Sequence, residues 1–244
     1  MRIAKTLVLI ASMMFLGGVC HAKALKVGIE GTCVPFVITK AESQYEGFDV
    51  DLIESIAKKA GYDEVTYVNM PFDALLPSVL TEQVDVAISG ITITKERNEI
   101  VDFVGPYYDA GLNALMPISQ KEKIKDVANL EGRTICVKQG TTCSDYAGTI
   151  KDVKLLGFES EQQSFNAFLD NKCEALISDD PIISYFLHNE SKEEHYKLKD
   201  KLTFEQFGIM VSKQHPEIYE KISTALKDLM DGDGYSKIYQ KWFG

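Results

Sequence analysis

A chain of 244 residues in which 45% are hydrophobic has length for two lobes of ordinary domain size and enough apolar side chains to bury a core in each. Its 26 Lys and Arg against 36 Asp and Glu give a formal charge of −10, which disfavours nucleic acid and anionic lipid surfaces as partners. The histidines His21, His188, His195 and His215 have no zinc-ligand spacing, and H-E-x-x-H, G-x-S-x-G and G-x-x-x-x-G-K do not occur. No metal, cofactor or catalytic triad is therefore expected.

Residues 1–22 read as a secretory signal: Arg2 and Lys5 precede the apolar run 6–19, and Cys20-His21-Ala22 offers cleavage after Ala22. That run is shorter than the roughly 20 residues that span a bilayer. A lipid-modified Cys20 is the alternative, opposed by the Val19 that precedes it. The mature chain is then 244 − 22 = 222 residues with a charge of 24 − 36 = −12, exported to the periplasm. It keeps Cys33, Cys136, Cys143 and Cys173, none in a C-x-x-C pair. Connectivity cannot be read from these spacings, and Cys136 and Cys173 are expected as small core residues beside strands.

From residue 25 onwards strand-like runs alternate with helical patterns, which indicates an α/β protein with largely parallel sheets. Strands are expected at 25–29, 65–68, 84–89, 134–138, 154–156 and 175–178. Asp49 is expected to cap a helix whose apolar face is Leu52, Ile53, Ile56, Ala57 and Ala60, with Gly61 as its stop. Two internal echoes run through the order. Residues 80–89 (LTEQVDVAIS) and 169–178 (LDNKCEALIS) superpose without a gap, and Glu30-Gly31-Thr32 is echoed by Gln139-Gly140-Thr141. They imply two similar lobes with their strand ends facing each other, where open α/β sheets bind ligands.

The segment 84–103 carries the clearest chemistry. Its apolar run ends at Ser89 and Gly90, followed by Thr92 and Arg97. A glycine lets a ligand approach the main chain, a hydroxyl and the freed N–H groups donate, and a guanidinium fork matches a carboxylate with two parallel bonds. A small acidic or zwitterionic ligand is implied.

Taken jointly, the markers Val34-Pro35-Phe36, Gly47-Phe48-Asp49-Val50-Asp51-Leu52, Gly90-Ile91-Thr92-Ile93-Thr94, Glu96-Arg97, Val101-Asp102-Phe103, Gly140-Thr141 and the closing Tyr239-Gln240-Lys241-Trp242-Phe243-Gly244 resemble the periplasmic solute-binding proteins that feed polar amino acids to ABC importers. The resemblance covers essentially the whole mature sequence. It implies a periplasmic-binding-protein-like fold of type II, two α/β lobes joined by a two-stranded hinge near 107–111 and 205–208. The larger lobe would comprise 23–108 with 209–244, and the smaller lobe 109–208. The expected partners are an amino acid in the cleft and the membrane permease of the importer, and the expected state is a monomer.

Residue by residue, the resemblance places Arg97 on the ligand's α-carboxylate, helped by Thr92 and the main chain of Gly90. Asp179 takes the α-ammonium, while Asp180 competes for that role or caps the helix at Pro181. Glu30 and Lys138 reach the ligand's side chain, Phe72 forms an aromatic wall, and Thr142 with Cys143 adds donors. Cys33 stands where many relatives carry a stacking aromatic residue. An acceptor and a donor together suit the amide of glutamine, and Lys138 opposes a cationic ligand. Cystine and the basic amino acids are the alternatives within the class. A dehydratase of the cyclohexadienyl type is the enzyme alternative; it needs a spare acid in the cleft, and none is evident, since Glu174 lies beneath its strand end.

Overall fold

The computed structural model describes residues 23–191 and 194–244; the expected signal segment and its cleavage site lie outside the described residues. In chain order the elements are β1 (Ala24–Ile29), a hairpin of β2 (Ile38–Ala41) and β3 (Gln44–Glu46), α1 (Phe48–Lys59), β4 (Glu64–Asn69), α2 (Phe72–Leu80), β5 (Val86–Ala87), α3 (Lys95–Ile100) and β6 (Asp102–Asp109). There follow β7 (Leu112–Pro117), β8 (Thr134–Lys138), α4 (Thr142–Ala147), β9 (Lys154–Phe158), α5 (Glu161–Leu169), β10 (Ala175–Asp179) and α6 (Asp180–Phe186). The chain closes with β11 (His195–Lys197), β12 (Gln206–Val211), α7 (Pro216–Asp231) and α8 (Gly234–Phe243).

Two five-stranded sheets, β4-β1-β5-β12-β6 and β11-β7-β10-β8-β9, define two α/β lobes. Strand β1 pairs in parallel with β4 and β5, and β8 with β9 and β10. The remaining pairs are antiparallel: β12 with β5 and β6, and β7 with β10 and β11. The sheets are thus mixed rather than largely parallel. The reason is topological, because β12 and β7 each arrive from the other lobe and enter their sheet against the direction of its βαβ units.

The chain crosses between lobes twice, from β6 into β7 and back into β12. At the crossings the Ala110 N–H donates to Glu205 O (2.8 Å) and the Leu112 N–H to Thr203 Oγ1 (3.0 Å). Gly111 sits between them at φ +99, where an added Cβ would lie 2.4 Å from Thr203 O; a side chain there would push the crossings apart.

Helix α1 buries Leu52, Ile53, Ile56 and Ala57 against the sheet, and Gly61 past its end has φ +79. Its cap is Gly47, not Asp49. The first helical N–H groups, of Phe48 and Asp49, donate to Pro35 O and Phe36 O, so main-chain carbonyls do the capping. The Asp49 side chain is fully buried, and its Oδ2 accepts from the Gly90 N–H (2.8 Å) and the Tyr107 hydroxyl (3.0 Å).

The larger lobe is filled by an aromatic cluster. Phe36 meets Phe48, Tyr108 and Phe207 edge to face at 5.1 to 5.9 Å, and Phe243 of α8 closes the group. In the smaller lobe Cys136 of β8 and Cys173 form a disulfide with Cα atoms 5.8 Å apart. This corrects their reading as unlinked core residues: parallel pairing of β8 with β10 brings the two side chains together, which spacing in sequence does not reveal. Cys33 and Cys143 are free and buried.

Candidate functional site between the lobes

The C-terminal ends of the parallel strands face one another across the gap between lobes, as expected for open α/β sheets. Strands β1 and β5 deliver Glu30 and Ser89-Gly90 from the larger lobe, while β8 and β10 deliver Lys138 and Asp179 from the smaller. Each helix that follows such a strand begins at the same rim, so Phe72, Thr142 and Glu161 arrive as first residues of α2, α4 and α5.

Between these rims lies a small cavity of about 20 Å³. From the larger lobe it is lined by Cys33, Phe72, Ser89, Gly90, Thr92 and Arg97, and from the smaller by Lys138, Thr142 and Asp179. Thr141 and Glu161, not assigned from sequence, complete the lining. Glu30 does not line it directly. It lines a neighbouring pocket with Asn69, Gln139 and Gly140, and is tied to the cavity through an ion pair with Lys138.

On the larger-lobe side Gly90 takes φ +58, a conformation open to glycine, and an added Cβ would sit 3.2 Å from Cys33 Sγ. Its N–H is committed to Asp49 and is therefore not among the donors offered to a ligand. Ser89 Oγ accepts the Glu30 N–H (3.1 Å) and ties the ends of β1 and β5 together. Arg97 rides on α3, whose cap Thr94 accepts the Arg97 N–H. Its guanidinium donates to Thr92 O (2.8 Å) and, across the gap, to Gly140 O (3.3 Å), with the Phe72 ring 5.4 Å away.

On the smaller-lobe side Asp179 is half-buried, and its enclosed Oδ1 has no hydrogen-bond partner among the described residues. Burial, followed by the neighbouring Glu161 and Glu205 carboxylates, holds its pKa well above the usual carboxylate range. Neither Asp179 nor Asp180 caps α6 through its side chain; Asp180 instead accepts from Asn113 Nδ2 (2.8 Å) and pairs with Lys197 (2.5 Å). Glu161 is buried and accepts from the Ser178 hydroxyl, and burial raises its pKa too. The cleft thus does hold a spare acid, whereas Glu174 points to Arg133 (2.8 Å). Topology carried the signal for Glu161: a residue opening a helix just after a parallel strand belongs to the same rim as Thr142.

At this site polar contacts bridge the lobes. Lys138 pairs with Glu30 and stands 4.4 Å over the Phe72 ring, Arg97 reaches Gly140, and Glu205 at the crossing accepts from both Thr92 (3.1 Å) and Thr142 (2.8 Å). Burial works against the Lys138 cation, but the carboxylate of Glu30 and other nearby groups more than offset it, so its pKa lies above the ordinary lysine value. Among the described residues the cavity therefore offers one guanidinium, that of Arg97, in no ion-pair contact, and one carboxyl group, that of Asp179, whose enclosed Oδ1 has no donor.

Residues 25–244 match the sequence profile described as bacterial extracellular solute-binding proteins, family 3. The ABC transporter arginine-binding protein 1 of Escherichia coli (strain K12) is 30% identical over 241 residues, covering 96% of both chains. A solved structure of an ancestral arginine-binding protein bound to arginine superposes with a TM-score of 0.85 at 31% identity, over 92% of this chain and 100% of that one. An ancestral arginine-binding protein bound to glutamine gives a TM-score of 0.82 at 31% identity, over 91% and 98%.

Proposed function

The chain belongs to the bacterial extracellular solute-binding proteins of family 3, and from that premise we propose that it closes on a polar amino acid, glutamine by preference, and presents it to the permease of an ABC importer. The observation that carries this reading is the opposition of Arg97 and Asp179 across one cavity. A carboxylate satisfies the guanidinium, an ammonium satisfies the enclosed Oδ1 of Asp179, and a free amino acid holds both charges on one carbon. Because the ligand bonds both lobes at once, it draws an open form towards the closed one.

The preference for glutamine rests on Glu30 and Lys138. A side-chain amide donates to the first and accepts from the second, whereas a cationic side chain meets the Lys138 charge. A basic amino acid is the second reading, favoured by the carboxylates of Glu161 and Asp179 at the cavity and by relatives that bind arginine. In this proposal residues 23–108 with 209–244 form one moving body and 109–208 the other. The protein works as an exported periplasmic monomer after loss of residues 1–22; among the described residues no helix is long and apolar enough to cross a membrane.

A thermal-shift panel of the common amino acids tests the reading, since ligand at about 100 times its Kd adds roughly 2.7 kcal/mol of stability. Glutamine is expected to give the largest shift. A larger response to arginine or cystine removes the glutamine preference and keeps the class; no response to any amino acid removes the class. Glu161 is read here as a binding group, and turnover of arogenate or prephenate by the pure protein would show instead that it acts as a general acid.

A further inference from the structure

The charges around the cavity do not balance with a zwitterion alone. Lys138 is matched by Glu30, a ligand carboxylate matches Arg97, and a ligand ammonium matches Asp179. One lining carboxyl group is left over: Glu161, 7% exposed, opening α5 behind its cap Ser160. One of its oxygens accepts from the Ser178 hydroxyl, and among the described residues it takes part in no ion pair, Lys138 being held by Glu30. A buried carboxylate without a countercharge is costly and either takes a proton or finds a cation.

Resting on the amino-acid reading above, we propose that Glu161 is a specificity-determining residue of the cleft, protonated when the ligand's side chain is neutral and ionised when that side chain is cationic. The charged and titratable groups around it support the assignment. Lys138 at the end of β8 favours its anion, whereas Glu30 beyond β1 opposes it. Asp179 at the end of β10 and the thiols of Cys33 and Cys143 also lie within its field. On its other flank Glu161 borders a crevice with Tyr185 and Glu190. Burial is the strongest of these influences and works towards the protonated form. A guanidinium or ammonium brought into the cavity supplies the missing charge and releases that proton.

The consequence is measurable without knowing where Glu161 titrates in the empty protein. Binding of arginine and binding of glutamine should differ by up to one proton exchanged with solvent. Calorimetry of the full mature protein in buffers of different ionisation enthalpy, between about pH 5 and 8, reads that difference. Wild type is expected to show it. Glu161→Gln, which keeps an acceptor for Ser178, is expected to abolish it and to lower the arginine-to-glutamine affinity ratio at least ~10-fold, the size expected for loss of a buried countercharge. Equal proton counts for the two ligands in wild type overturn the proposal even if the variant fails to fold, and so does an unchanged affinity ratio in a folded variant. If wild type binds neither ligand but another amino acid shifts its melting temperature, the glutamine preference and this role of Glu161 both fall while the class stands.

Discussion

In the larger lobe the Lys26 N–H donates to Asp85 Oδ2 (2.8 Å) and the Asp85 N–H returns a bond to Lys26 O (2.9 Å). In the smaller lobe Thr134 and Glu174 do the same at 3.1 and 2.8 Å. Three residues before each acid a non-glycine turns left-handed, Glu82 and Asn171, both at φ 58. One device, an acid clamping the start of the neighbouring parallel strand, has been used twice. What fills the frame differs. Two residues beyond each clamped start stand Gly28 and Cys136. Gly28 lies against Val84, whose Cγ2 would be 3.2 Å from an added Cβ, and Cys136 is bonded to Cys173, the residue that Val84 matches in the echo. Close packing does in one lobe what a covalent bond does in the other.

The sharpest way to break the pair is to remove one lobe's grip on the ligand. Arg97→Ala should cost roughly 2–5 kcal/mol of binding, on the order of a hundredfold or more in Kd, and Asp179→Asn a similar amount from the opposite wall. Isothermal titration with the best ligand checks both; a loss confined to one variant means that the ligand engages one lobe only.

A second test compares buried acids. Burial lifts Asp49 to about 7 against a usual 3.8, although the Gly90 N–H and the Tyr107 hydroxyl pull it down. An acid whose pKa is raised by folding stabilises the native state most at low pH, and that contribution is lost as pH rises through the folded value. Wild type should therefore lose up to roughly 4 kcal/mol between about pH 4 and 7 from this group, with Asp179 and Glu161 acting in the same direction. Urea denaturation at several pH values should show a flatter profile for Asp49→Asn; identical profiles would assign the slope to the other two acids.

Next in size is the crosslink. Closing a loop of 37 residues in sequence contributes about 3–4 kcal/mol in the chain-entropy account. Cys136→Ala with Cys173→Ala should lower the unfolding midpoint by that amount and leave ligand selectivity unchanged. The smallest effects belong to the clamps: Asp85→Asn and Glu174→Gln should each cost about 1 kcal/mol, seen as faster amide exchange at Lys26 in one variant and Thr134 in the other. Exchange at both sites in either variant would show that the lobes do not respond independently.

Much of this comparison is legible in the amino-acid order. The echo at 80–89 and 169–178 marks both clamps, and strand ends locate the rim because topology fixes where ligands gather in such sheets. Other features depend on partners far away in sequence. Asp49 stands where an N-cap is expected, yet carbonyls of the 35–36 loop leave its carboxyl free to hold Gly90. Glu161 looks like a first-turn acid stabilised by its helix, and only packing against β10 shows it to be enclosed. The disulfide needs the register of β8 beside β10. The resemblance places Glu30 and Lys138 together on a ligand's side chain, and in the structure they form a buried ion pair with each other.

Both sulfurs of the crosslink belong to the smaller lobe, remote in the chain from the Ala110-Gly111 and Thr203–Glu205 crossings. The staple hardens one jaw without tethering it to the other. Oxidation or reduction of this pair is therefore expected to change how long that jaw survives heat or denaturant, and, in the proposed reading, to leave the closing of one lobe on the other mechanically unconstrained.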